Sequence, residues 1–109
     1  MTDYKFGDIV LLSFPFTNGI SAKKRPALVL LDANDNDVVV VRITSQFSDT
    51  DFDLPIRDWQ KAGLLSLSYL RFHKIATLEK TLIDKKLGYL SMTDLQKAKD
   101  KIQEIINEF

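Results

Sequence analysis

The chain has 109 residues, 45% of them hydrophobic and 28% charged, which is the length of one domain and the composition of a folded globular protein. It contains no cysteine and a single histidine, His73, so disulfide frameworks, thiolate zinc sites and sites built from several histidines are excluded. Its 15 basic and 15 acidic residues give no net charge, which argues against a histone-like protein that coats nucleic acid non-specifically.

Charge is nevertheless uneven along the chain. Residues 1–25 hold four basic and two acidic residues, residues 59–86 hold six and two, and residues 26–58 hold two and seven. The two positive segments predict a local basic groove on a neutral protein. No apolar run reaches the ~18–20 residues of a membrane helix, and the first residues lack the basic and apolar parts of a secretory signal. We therefore expect a cytoplasmic protein with no membrane partner.

Three strand candidates occupy the first half of the chain. Residues 6–16, 26–31 and 38–44 are apolar runs separated by turn-forming segments. Residues 32–37 are a turn cluster, and four consecutive valines follow it. This arrangement predicts a hairpin of the second and third strands.

The second half predicts further strands and then a helix. Residues 52–56 predict a short strand, and Pro55 limits it to the edge of the sheet because proline has no N–H to donate. Residues 58–62 predict one helical turn closed by Gly63. Residues 67–74 alternate as in a strand, which residues 75–78 continue or bend, whereas residues 82–90 are ambiguous.

The last segment has the pattern of an amphipathic helix. Ser91 is a predicted N-cap, with Asp94 three residues on. Apolar residues then recur at helical spacing, at Leu95, Ala98, Ile102, Ile105, Ile106 and Phe109. Together, the elements predict a mainly β fold with α, in which a small, strongly bent sheet or barrel carries a C-terminal amphipathic helix.

Cations and hydroxyl groups are the side chains left for chemistry. Lys23, Lys24 and Arg25 precede Pro26, which biases Arg25 toward an extended backbone, and a guanidinium can hold phosphate through two hydrogen bonds. Residues 44–46, Thr-Ser-Gln, end the valine strand, where polar side chains can face a cleft. Spacing alone favours a solvated charge cluster for residues 23–25 and an ordinary strand end for residues 44–46. The alternatives, a phosphate-binding arginine and a cleft lined by hydroxyl groups, stay open at this point. His73 lies in a predicted strand with no nucleophile-elbow sequence nearby, which favours a surface or groove-lining histidine over a catalytic one.

Three motifs carry a resemblance to a known family. Residues 7–10 (GDIV), 24–30 (KRPALVL) and 43–46 (ITSQ) resemble, in order and spacing, the MazF/PemK family of toxin–antitoxin endoribonucleases. Residues 63–65, 68–71, 74–78 and 87–91 and the terminal helix are similar to the later elements of that family. The resemblance therefore covers nearly the whole chain, and it implies one domain over residues 1–109 with an SH3-like (plasmid-toxin) barrel and a homodimeric assembly.

The resemblance also implies an activity. Members of the family are mRNA interferases that inhibit growth by sequence-specific, metal-independent cleavage of single-stranded RNA. The 2′-hydroxyl attacks the neighbouring phosphorus and leaves a cyclic phosphate and a 5′-hydroxyl, so no cofactor or metal is expected. A cognate antitoxin that occupies the RNA groove is the implied protein partner.

Site residues carry over by motif. Arg25 falls on the catalytic arginine of the family, which would stabilise charge on the phosphate, and Thr44 falls on its catalytic threonine, which we expect to position the reacting groups. Lys23, Lys24, Ser45, Gln46 and Ser68 are the expected RNA contacts. We also expect the loop of residues 17–24 to close over RNA and Phe16 or Phe47 to stack on an unpaired base. His73 departs from the acidic residue of many relatives, which puts base preference and pH dependence in doubt.

Two other functions compete with the nuclease. A toxin with the same barrel can poison DNA gyrase through its C-terminal residues, and an SH3-like barrel without activity can serve as a binding module. The pairing of Arg25 with Thr44 argues against the gyrase poison, because that mode does not require an arginine and a hydroxyl at one site.

Overall fold

The computed structural model describes residues 3–14, 23–48 and 50–109 of the chain. The elements in order are β1 (Asp8–Phe14), β2 (Lys23–Asp32), β3 (Asp37–Thr44), β4 (Asp53–Ile56), β5 (Ser68–Glu79), one 3₁₀ turn (Lys80–Leu82), β6 (Ile83–Tyr89) and α1 (Met92–Ile106). The strands form one antiparallel sheet in the order β4-β5-β3-β2-β1-β6. The predicted mainly β fold with a C-terminal helix is confirmed.

The central strands are buried on both faces. On one face Ile9, Leu28 and Val41 belong to the core that packs against α1. On the other face a second core contains Val10, Leu12, Ala27, Val29, Val38 and Val40. This explains why the first three strands read as almost continuous apolar runs, since each face of the bent sheet has its own core.

The sheet does not close into a barrel by hydrogen bonding. β4 and β6 are its two edges, and among the described residues no ladder joins them. The segment of residues 57–67 packs against β6 instead. A Cβ added to Gly63, whose φ is +82°, would lie 2.2 Å from the carbonyl oxygen of Leu87. The absence of a Cβ and the left-handed backbone therefore both require glycine here.

The bounds and register of β2 and β5 add detail to the sequence prediction. β2 starts at Lys23 rather than at residue 26. Residues 23–26 extend the strand by pairing with β1, although they do not pair with β3. β5 is one strand from Ser68 to Glu79, so residues 75–78 continue the predicted strand, and the register steps from Val41–Ile75 to Arg42–Arg71. Residues 72–74 therefore form a bulge that bends the strand. Residues 15 and 16 of the predicted first strand lie outside the described residues.

The predicted helix is confirmed together with its cap. The Ser91 hydroxyl accepts a hydrogen bond from the backbone N–H of Asp94 at 3.2 Å, and the buried Ala98 faces the core. Leu95, Ile102 and Ile105 pack beside it. α1 is too short and too polar to cross a membrane, and it is the one α-helix in the part of the chain that the structure describes.

Candidate active site

A cavity of about 680 Å³ lies where β2 begins and β3 ends. Five strands and residues 63–66, in the segment that follows β4, contribute to its walls. The polar and charged side chains that line it are Arg25, Arg42, Thr44, Ser45, Gln46, Ser66, Ser68 and Lys85. The cavity thus gathers residues that are distant from one another in sequence.

Arg25 and Thr44 line this same cavity. The β2–β3 ladder pairs Val29 with Val40 and Ala27 with Arg42, and the same register continued by two residues sets Thr44 opposite Arg25. The hydrogen-bonded ladder stops before that point. Pro26 has no N–H to extend it, so the two strand ends are free to form the walls of a cavity.

The hydroxyl proton of Thr44 is available for a hydrogen bond to a ligand. Its Oγ1 accepts the backbone N–H of Gln46 at 3.1 Å. An oxygen that already accepts a hydrogen bond is a weaker base, and its own proton stays available for an acceptor. Thr44 is half-buried, so this donor faces a partly desolvated space, where hydrogen bonds to charged groups are strengthened.

The three predicted contacts Ser45, Gln46 and Ser68 also line the cavity. Ser45 and Gln46 are exposed and follow the end of β3. Ser68 is buried at 5% exposure, and its hydroxyl donates to the carbonyl oxygen of Ser66 at 3.0 Å. Its oxygen therefore remains available only as an acceptor, which suits a ligand hydroxyl better than a phosphate oxygen.

The charge of the cavity wall has one sign. Arg25, Arg42 and Lys85 contribute three cations, and none of its described lining residues is acidic. Sequence reasoning missed Arg42 and Lys85. Arg42 had a signal, because it is the one cation in a valine-rich strand and stands two residues before Thr44, on the same face. Lys85 lay in the ambiguous segment that became β6.

The two lysines predicted to contact RNA, Lys23 and Lys24, lie outside the cavity lining. Both are exposed at the start of β2. The Nζ atom of Lys24 lies 3.2 Å from the Oδ2 atom of Asp84. Their role in attracting RNA therefore stays a prediction. Phe16 and residues 17–22 of the predicted closing loop lie outside the described residues.

The rings of Phe47 and His73, which the sequence analysis also singled out, both lie on the surface. Phe47 is 67% exposed, and its ring packs at 5.5 Å against Tyr69, which pairs with Thr44 across the sheet. His73 is exposed and does not line the cavity, and its Nε2 lies 3.5 Å from Nη2 of Arg71. Of the two placements that the sequence favoured for His73, surface or groove-lining, the structure shows the surface one. In the described part of the chain no three carboxylate or imidazole groups gather as potential metal ligands.

Comparisons with known proteins come from families and from solved structures. A family model described as PemK-like, MazF-like toxin of type II toxin–antitoxin system matches residues 5–106. No curated protein matches the chain. Among solved structures, an endoribonuclease in complex with its cognate antitoxin from a mycobacterial species has a TM-score of 0.74 at 16% identity and covers 96% of each chain.

Two further structures share the fold. The Mycobacterium tuberculosis toxin MazF-mt6 has a TM-score of 0.74 at 18% identity, over 92% of this chain and 96% of its own. An endoribonuclease from a mycobacterial species has a TM-score of 0.75 at 16% identity, over 98% of this chain and 94% of its own. At these identities the likeness concerns the fold.

Proposed function

The chain belongs to the PemK-like, MazF-like toxins of type II toxin–antitoxin systems, and from this premise we propose that it is a metal-independent, sequence-specific endoribonuclease. Its substrate is single-stranded RNA such as mRNA, and its products are a 2′,3′-cyclic phosphate and a 5′-hydroxyl. The endoribonucleases among the structures of the same fold support this class of activity.

One observation carries the proposal. Arg25 and Thr44, which are 19 residues apart in sequence, line one cavity. The described wall of that cavity holds three cations and no carboxylate. A wall of this charge favours a polyanion, and sequence-specific recognition of RNA mostly targets single strands, whose bases are accessible.

The chemistry follows from these groups. The 2′-oxygen forms a bond to phosphorus while the bond from phosphorus to the 5′-oxygen breaks. The guanidinium of Arg25 stabilises the negative charge that builds up on the phosphate. The Thr44 hydroxyl donates to a phosphate oxygen and holds it for in-line attack. No carboxylate or imidazole is among the described lining residues, so the 2′-hydroxyl loses its proton to solvent and the departing 5′-oxygen takes one from solvent.

Partners and assembly are part of the proposal. We assign residues 1–109 to one toxin domain that acts in the cytoplasm as a homodimer and is neutralised by a cognate antitoxin. A structure of the same fold holds its own cognate antitoxin, which supports this partner. Sedimentation at micromolar concentration tests the assembly, because a dimer predicts twice the 12.5 kDa chain mass and a monomer contradicts it.

The activity is tested on a long unstructured RNA in the presence of EDTA, with the 5′ ends of the fragments mapped. Wild type should cut at a short recurring sequence and leave 5′-hydroxyl ends. Loss of a charge-stabilising group typically slows a reaction by about 10²–10³-fold, so Arg25→Ala should cut slower by that factor without unfolding.

The matched control is Arg57→Ala, because Arg57 is exposed and does not line the cavity. This control should cleave as wild type does. Cleavage that requires added metal, or equal rates for Arg25→Ala and wild type, contradicts the proposal. DNA gyrase trapped on DNA without RNA cleavage would identify the poison instead, and neither activity would leave a binding module.

A further inference from the structure

Arg42 lines the cavity but has no evident role in stabilising the fold. It lies in β3 between the buried residues Val41 and Ile43, yet its own side chain is exposed. Within the described ranges no carboxylate lies within 4 Å of its guanidinium, whereas other cations of the sheet, such as Lys86 and Arg71, have acidic partners. An exposed arginine in a valine-rich strand is therefore not explained by the core or by an ion pair.

The cross-strand neighbours of Arg42 strengthen this point. On one side it faces Ala27, a small buried residue. On the other side it faces Arg71, and like charges directly opposite one another destabilise a sheet. Arg71 has its own partner, since its Nε lies 3.5 Å from Oδ1 of Asp53, whose side chain is only 2% exposed. The Asp53 carboxylate thus compensates Arg71 and leaves the charge of Arg42 directed to the cavity wall.

The position of Arg42 relative to Thr44 shows where its charge lies along the cavity. The two residues are separated by one residue on β3, so their side chains project from the same face roughly 6.7 Å apart along the strand. Arg25 lies on the adjoining strand, across from Thr44 in the continued register. An RNA backbone that runs along β3 would meet Arg25 and Thr44 at one phosphate and Arg42 at the next.

We propose that Arg42 is a substrate-positioning residue that binds the phosphate adjoining the scissile one. This inference rests on the proposed function and deepens it. The contact is to the backbone and carries no base information, because it holds a phosphate oxygen and not a base edge. Its contribution is to fix the register of the strand, so that the scissile linkage lies between Arg25 and Thr44.

The test uses an RNA of the mapped cleavage sequence with a 2′-deoxy nucleotide at the scissile position, which binds but cannot be cut. Affinity is measured over a salt series for wild type, Arg42→Gln and the control Arg57→Gln. Each phosphate contact to a single strand contributes a slope of about 0.7 in log K against log salt. Arg42→Gln should lower the slope by about that amount, and its affinity should fall about tenfold. Arg57→Gln should match wild type.

Kinetics on the cleavable RNA separate the possible roles. Arg42→Gln should raise KM more than it lowers kcat and should cut at the same sequence, since a phosphate contact weakens binding uniformly across sequences. Its Tm should not fall, because the substitution removes a like-charge opposition with Arg71. A changed cleavage sequence would show a base reader and overturn the phosphate assignment.

Failure of this inference is distinguishable from failure of the proposed function. A wild-type protein that cuts RNA while Arg42→Gln keeps an unchanged salt slope overturns the role of Arg42 alone. A wild-type protein that neither cuts nor binds RNA overturns the proposed function and this inference with it.

Discussion

The carboxylate of Asp94, in the first turn of α1, accepts the backbone N–H of Asp58 at 2.8 Å. It also accepts the backbone N–H of Arg57 at 3.2 Å, and its residue is 2% exposed. These bonds connect the helix start to the segment of residues 57–67. Because residues 63–66 of that segment line the cavity, the helix supports the wall of the site through one buried acid.

Removal of this acid should destabilise the protein markedly. Asp94→Ala leaves two backbone N–H groups in a partly buried place without acceptors, and the loss should be about 2 kcal/mol or more in free energy of unfolding. Asp100→Ala is the control, because Asp100 is exposed on the same helix, and its effect should stay within about 0.5 kcal/mol. Urea unfolding measures both. Equal stabilities for the two variants would contradict the role of Asp94.

Gly63 should tolerate no side chain. Gly63→Ala would place a Cβ 2.2 Å from the Leu87 carbonyl oxygen and force a residue with a side chain to a φ of +82°. Strain of this kind costs about 1–3 kcal/mol from the backbone alone, and the clash with backbone adds to it. Thermal unfolding should show a clear loss of Tm, whereas Lys61→Ala, an exposed change in the same segment, should not. A Gly63→Ala protein as stable as wild type would mean that this segment does not pack on β6.

Asp32 should make stability depend on acid pH. The Lys80 ammonium, 2.6 Å from its Oδ1, and the backbone N–H groups of Tyr4 and Asn34 lower the pKa of Asp32 from 3.8 to about 2. A pKa that is lower in the folded state stabilises the protein above the ordinary value, and this stabilisation is lost as pH falls toward the folded value.

The pH window follows from these two values. The stability difference between wild type and Asp32→Asn should be full above about pH 4 and should shrink between about pH 4 and pH 2. Chemical unfolding at a series of pH values measures it, with the exposed Asp51→Asn as control. A difference that stays constant down to the lowest pH would show that the ion pair with Lys80 does not contribute.

Local patterns in the sequence were sufficient for part of this fold. The four valines of β3 and the helical spacing after Ser91 depend on neighbours along the chain, and both elements lie where they were predicted. β6 was ambiguous because Asp84, Lys85 and Lys86 interrupt it. An edge strand with exposed side chains on both faces has no hydrophobic period to read.

Long-range contacts explain what sequence reasoning missed. The N-cap pattern of Ser91 and Asp94 was correct, but the partners of the Asp94 carboxylate lie 36 and 37 residues away, and no local pattern encodes them. The same is true of Arg42, whose importance appears only when Ala27 and Arg71 are known to flank it. Arg25 and Thr44 were found through a family resemblance, since spacing alone favoured a plain charge cluster and strand end.

A double-mutant cycle tests most directly whether Arg25 and Thr44 act on one scissile phosphate. The value of kcat/KM on RNA of the mapped sequence is measured for wild type, Arg25→Ala, Thr44→Val and the double variant. Groups that stabilise the same transition state are not additive, so the double variant should retain at least about threefold more activity than the product of the two single losses predicts. Losses that multiply independently, or a Thr44→Val protein with wild-type activity, would contradict the shared site.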